Sequence, residues 1–112
     1  MIKVSVLYAN RDGATFDMDY YCNVHVPLVR RLLGDALKGG EVDQGISTLL
    51  GPTAYVAIGH LWFDSVDAFQ ASLATHGAEI MADIPKYTNI EPVIQISEVR
   101  ISDARVASVA GR

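Results

Sequence analysis

Little in this sequence points to a staple, a metal or a nucleic acid. One cysteine, Cys22, stands alone among 112 residues, so no internal disulfide can form. The histidines, His25, His60 and His76, fall on three different predicted elements, and no Cys or His pair has ligand spacing. Basic residues never cluster beyond Arg30 and Arg31, and the formal net charge is −4. A nucleic-acid surface needs clustered Lys and Arg to displace counterions from phosphates, so that class is disfavoured. No apolar run approaches the roughly 20 residues of a membrane span. The chain opens on a strand-like alternation rather than a leader pattern. No Gly-rich phosphate loop or dinucleotide fingerprint appears. These absences predict a cytoplasmic protein with no metal, cofactor, nucleic-acid or membrane partner.

Apolar residues, by contrast, are plentiful, at 50% of the chain. That is the upper end for a soluble domain. A domain of this length buries roughly two-thirds of its unfolded surface, enough for one core without a staple. Some of the apolar excess is left to meet another chain.

Ile2, Val4, Val6 and Tyr8 alternate with Lys3, Ser5 and Leu7, which is a strand. Asn10-Arg11-Asp12-Gly13 is turn chemistry. Asp17 is an N-cap for a helix whose stripe is Met18, Tyr21, Cys22, His25, Leu28, Val29, Leu32 and Leu33, ending near Gly34. Pro27 cannot donate to the carbonyl of Asn23, so the helix should kink or restart there. Regular helix around His25 is therefore not expected. Residues 37 to 46 read as an irregular second strand. Thr53 to Phe63 is the clearest strand, apolar on both faces, so both should be covered. Helices can cover one, and another subunit the other; a charge at Ala57 is expected to break such a dimer and to unfold the chain. Asp64 or Ser65 caps a second helix carrying Val66, Phe69, Leu73, His76 and Ile80. A last strand runs from Val93 to Ile101, leaving a loose tail from Asp103. The order β-α-β-β-α-β is the split pattern of ferredoxin-like α+β domains.

Two regions resemble the EthD family, named for ethyl tert-butyl ether degradation. One is Tyr20-Tyr21-Cys22-Asn23-Val24-His25-Val26-Pro27-Leu28-Val29. The other runs from Leu61-Trp62-Phe63-Asp64-Ser65 through Ala82-Asp83-Ile84-Pro85-Lys86-Tyr87 to Val93-Ile94-Gln95-Ile96-Ser97-Glu98-Val99. The match covers most of residues 1 to 101, so a single domain over 1–102 is expected. The resemblance implies a dimeric α/β barrel, with two four-stranded sheets closing face to face. Related barrels include isomerases, cofactor-free monooxygenases, polyketide cyclases and some haem proteins. Fold alone supplies a range of reactions, not one of them.

His25 is the sharpest catalytic candidate. It lies mid-stripe, between Tyr21 and Val29, where Pro27 disturbs the backbone and can open a pocket. An imidazole there could take a proton from a carbon acid or return one to an enolate. The plainer role is a core histidine bonded to a tyrosine or a carbonyl. Tyr21 could hold that ring or polarise a substrate carbonyl, and Tyr8 could reach the pocket mouth from its strand end. Tyr20, Tyr55 and Tyr87 complete an unusual number of phenols. His60 and Trp62 share one strand face; they wall the pocket if that face meets the helices, and join a dimer interface otherwise. Trp62 and Phe69 are the expected apolar walls. Asp83 matches the family's Asp-x-Pro and could orient a histidine, although a turn before Pro85 explains it as simply. Cys22 reads as a small buried residue. The expected function is cofactor-independent acid/base chemistry on a hydrophobic carbonyl or enol metabolite in a degradation pathway. A binding protein for such a metabolite, or haem ligation by His25, would use the same stripe.

Overall fold

The structure, a computed structural model, describes residues 1–103. The expected loose tail falls almost wholly on residues 104–112, which lie outside the described ones. The chain runs β1 (Ile2–Ala9), α1 (Met18–Tyr20), a π-turn (Tyr21–His25), α2 (Val26–Leu33), β2 (Gly39–Gln44), β3 (Tyr55–Phe63), α3 (Val66–Asp83) and β4 (Val93–Glu98). The four strands form one antiparallel sheet in the order β2-β3-β1-β4. This is the α+β, ferredoxin-like arrangement that the order of elements predicts. No helix among the described residues is long and apolar enough to cross a membrane.

Register decides which face carries what. Ile2 pairs with Phe63, Val4 with Leu61, Val6 with Gly59 and Tyr8 with Ala57. These residues face the helices, and Val4, Tyr8, Ala57 and Phe63 are almost fully buried. The alternate set turns away: Lys3 opposite Trp62, Ser5 opposite His60, and Leu7 opposite Ile58. Ala57 therefore belongs to the core. A charge there is a packing defect that should unfold the chain, as expected, but it is no probe of association, because Ala57 is not on the face left for a second subunit.

The first helical segment obeys its cap and its proline. Asp17 Oδ1 accepts from the Tyr20 N–H at 3.0 Å. The backbone then widens into the π-turn, whose last N–H, from Val26, reaches back to the Tyr21 carbonyl. Pro27 sits in the first turn of α2, where its missing N–H costs nothing. Tyr21, His25, Val29 and Leu33, spaced by four, are the buried members. Cys22, one position along, points outward and is exposed. The buried stripe is one residue wide, narrower than the eight apolar positions suggested.

Ser65 caps α3 by accepting from the Ala68 N–H at 3.1 Å. Phe69 packs on Phe63 with ring centroids 5.3 Å apart. Its burial contributes on the order of 2 kcal/mol. The inner face of α3 also carries Ser72, Gly77 and Asp83. Leu73 and Ile80 border an open cavity instead of solid core.

Candidate active site

A cavity of about 430 Å³ lies between the helices and the sheet. Its walls are mostly apolar, including Val4, Val6, Val29, Leu33, Leu61 and Phe69. His25, Tyr8, Tyr21 and Ser72 are polar members of the wall, and the charged residues Arg30, Lys38 and Glu41 also border it. A void of this size with few polar groups suits a small, largely apolar ligand.

His25 is held from behind. Its Nδ1–H donates to Asp83 Oδ2 at 2.9 Å, because a carboxylate can only accept. Asp83 Oδ1 accepts from the Tyr20 hydroxyl at 2.8 Å, and Lys86 Nζ lies 3.7 Å from the same oxygen. The nearly parallel Tyr21 ring, 5.7 Å away, and the Tyr87 ring, at 4.7 Å, clamp the imidazole. Nε2 has no hydrogen-bond partner, yet every fully buried side-chain N or O among the described residues has one. Nε2 is therefore open to the cavity that His25 lines.

Burial lowers the pKa of His25 from its usual value, and the bond and charge of Asp83 only partly oppose this. The ring is neutral at neutral pH, with its lone pair on Nε2. Burial resists ionisation of Asp83, but the bonds from His25 and Tyr20 and the charges of His25 and Lys86 hold its pKa below the usual value. A neutral imidazole oriented by a carboxylate is the arrangement of a general base.

Next to it three phenols come together. The Tyr8 and Tyr87 hydroxyls are hydrogen-bonded at 2.6 Å, and the Tyr21 ring packs edge-on against Tyr8 with centroids 5.6 Å apart. The bond between Tyr8 and Tyr87 uses one of their two protons and leaves the other to donate elsewhere. Tyr8 and Tyr21 border the cavity; Tyr87 does not. Burial raises the pKa of all three, so they are neutral donors rather than bases. Tyr8 is the member whose anion a bonded neighbour would stabilise, because the bond from Tyr87 lowers its pKa against that burial.

Of the residues singled out from sequence, His25, Tyr21, Tyr8 and Phe69 are brought together on the cavity. Asp83 stands behind His25, not in contact with a ligand. His60 borders the cavity through β3, but its ring is on the other sheet face. There Nδ1 meets Ser5 Oγ at 3.1 Å and Nε2 meets Asp43 Oδ2 at 3.0 Å. Trp62 is on that face too, under Lys3 at 5.4 Å, and is no wall of this cavity. Two participants went unassigned in the sequence, Tyr20 and Tyr87; the abundance of tyrosine and their place in the family-like segments were the signals for them.

Gly59 lets this cluster close. A Cβ built there would lie 2.5 Å from the Tyr21 hydroxyl. Gly59→Ala is expected to push that phenol away and cost about 1–3 kcal/mol in a denaturant melt. Unchanged stability would mean that Tyr21 has room to retreat.

Fold and cavity together define a ferredoxin-like α+β protein with a largely apolar cavity beneath its helices. The EthD domain model matches residues 13–91, and the chain belongs to the EthD family. An EthD-like protein from Ralstonia eutropha JMP134 is 43% identical, with a TM-score of 0.86 over 93% of this chain and 96% of that one. An ethyl tert-butyl ether degradation (EthD) family protein from Bacillus halodurans C-125 is 21% identical, with a TM-score of 0.72 over 88% and 98%. SnoaB, a cofactor-independent oxygenase from Streptomyces nogalater, shares the fold at 12% identity, with a TM-score of 0.53 over 90% and 93%. No curated protein matches the chain.

Proposed function

We propose that this protein is a homodimeric, cofactor-independent enzyme that enolises a hydrophobic or aromatic carbonyl compound. The observation that carries this reading is the Nε2 of His25, open to an apolar cavity while Asp83 fixes Nδ1. Nε2 takes the proton from the carbon next to the carbonyl. The C–H electron pair becomes the enolate double bond, and negative charge collects on oxygen. The spare phenol proton of the Tyr8–Tyr21–Tyr87 cluster hydrogen-bonds that oxygen. The His25 proton then returns to a different carbon in an isomerisation. In a cyclisation the enolate carbon attacks a second carbonyl of the same molecule, whose π pair moves to its oxygen, and that oxygen takes the proton from His25. Both steps balance without a cofactor. The dimer would form through the sheet face that no helix covers.

The reading can be tested without knowing the natural substrate. Benzoylacetone, an enolisable aromatic diketone, is incubated with the protein in D₂O, and loss of the α-proton signal is followed by NMR. Exchange well above the buffer rate supports the proposal. Binding of this and similar ketones with no added exchange would reduce the protein to a carrier. The exchange rate should also rise with pH through an apparent pKa below 6.5 and then level off. Only the neutral imidazole is a base, and burial lowers its pKa. A profile that falls across pH 5 to 7 would assign His25 the opposite, acidic role.

A further inference from the structure

We infer that the ligand of this cavity is an organic acid, its carboxylate bound by Arg30 at the mouth; this rests on the cavity being the ligand site proposed above. Two cationic residues border the cavity, Arg30 and Lys38. Lys38 is partly committed, with Asp64 Oδ2 3.8 Å from its Nζ. Arg30 has no ion pair or hydrogen bond among the described residues. Glu41 also borders the opening, but it pairs with His60 across β2 and β3 and so points its carboxylate to the other sheet face. The positive charge at the mouth is left unbalanced on the cavity side.

Spacing gives the ligand its shape. Arg30 follows His25 by five residues along one helical run, about 7.5 Å of rise and about 140° of rotation. It is therefore exposed one position past Val29, and its long side chain folds back over the helix edge to reach the mouth. Between them the wall is aliphatic, with Val26 and Val29 facing in. A ligand that fills the site has its carbonyl at His25, an apolar middle, and a carboxylate about 8–10 Å away in reach of the guanidinium fork. Arg30 also lies in the last turn of α2, where any cation favours the helix dipole. Arg31 shares that helix end but does not border the cavity, and so serves as the internal control.

Isothermal titration of the whole protein with 6-phenylhexanoate and 6-phenylhexanamide, a charged and a neutral isostere, tests this directly. The wild type should prefer the acid at least 10-fold, and 0.5 M NaCl should shrink that preference. Arg30→Gln should bring the ratio to within twofold while leaving amide affinity unchanged. Arg31→Gln should keep the ratio. Arg30→Lys should recover only part of it, since an ammonium lacks the fork. Phenylhexyl phosphate separates the two sources of an anion: binding it more tightly than the carboxylate would replace the acid by a phosphorylated carrier and overturn the inference. Equal affinity for acid and amide, or a ratio unchanged in Arg30→Gln, would also overturn it while leaving the cavity as a ligand site. Failure of every probe to bind would remove the cavity reading itself.

Discussion

His25→Ala is expected to lose about 10²- to 10⁴-fold in α-proton exchange while the fold survives. The substitution removes the basic Nε2 lone pair and leaves the apolar walls and the phenol cluster in place. Asp83 would keep its bond from Tyr20 and its neighbour Lys86, so its buried carboxylate is not stranded. Asp83→Asn makes a subtler demand. An asparagine can offer Nδ1 either an acceptor or a donor, so the tautomer with the lone pair on Nε2 is no longer enforced. Turnover should drop while ligand affinity stays. Stability supplies an independent readout. The folded pKa of His25 lies below its unfolded value, so its contribution is complete above about pH 6.5 and is lost as pH falls toward the folded value. Wild type should therefore weaken below pH 6.5 in denaturant melts, and His25→Ala should not show that component. Full exchange activity in His25→Ala is the result that would end the catalytic reading.

The order of elements was legible because each carries its own chemistry. Asp17 and Ser65 cap, Pro27 restarts a helix, and alternation marks β1 and β3. The irregular backbone before His25 followed from one missing N–H and emerged as a π-turn. What local pattern could not supply was the rotation of each element. The strand from Thr53 to Phe63 is apolar on both sides, so alternation alone could not say whether Trp62 or Phe63 met the helices. Its register against β1 does, and it separates His60 and Trp62 from His25. The Asp83–His25 bond spans 58 positions and depends on where α3 ends over α2. The Tyr8–Tyr87 bond spans 79. Contacts of that range have no signature in a single chain; five tyrosines in a short sequence were countable, but their meeting was not.

Leu7→Asp is expected to convert a dimer of about 24 kDa, twice 12.1 kDa, into a folded monomer. Leu7 is central on the face that the helices leave uncovered, opposite Ile58 on β3 and Val93 on β4. Several polar groups on this face are already partnered, as in the Ser5–His60–Asp43 chain and in Lys3 over Trp62. Such a surface strands few polar groups on meeting its own copy, and an obligate apolar interface commonly buries about 2,000 Å² or more. A carboxylate at position 7 would be solvated in the monomer but desolvated in that dimer. Association should fail while circular dichroism stays native. Ala57→Asp is the contrasting change, because Ala57 is fully buried on the helix side and a charge there should unfold the chain. Light scattering at micromolar concentration reads both. A wild type that already runs at 12.1 kDa would overturn the assembly and with it the expectation for Leu7.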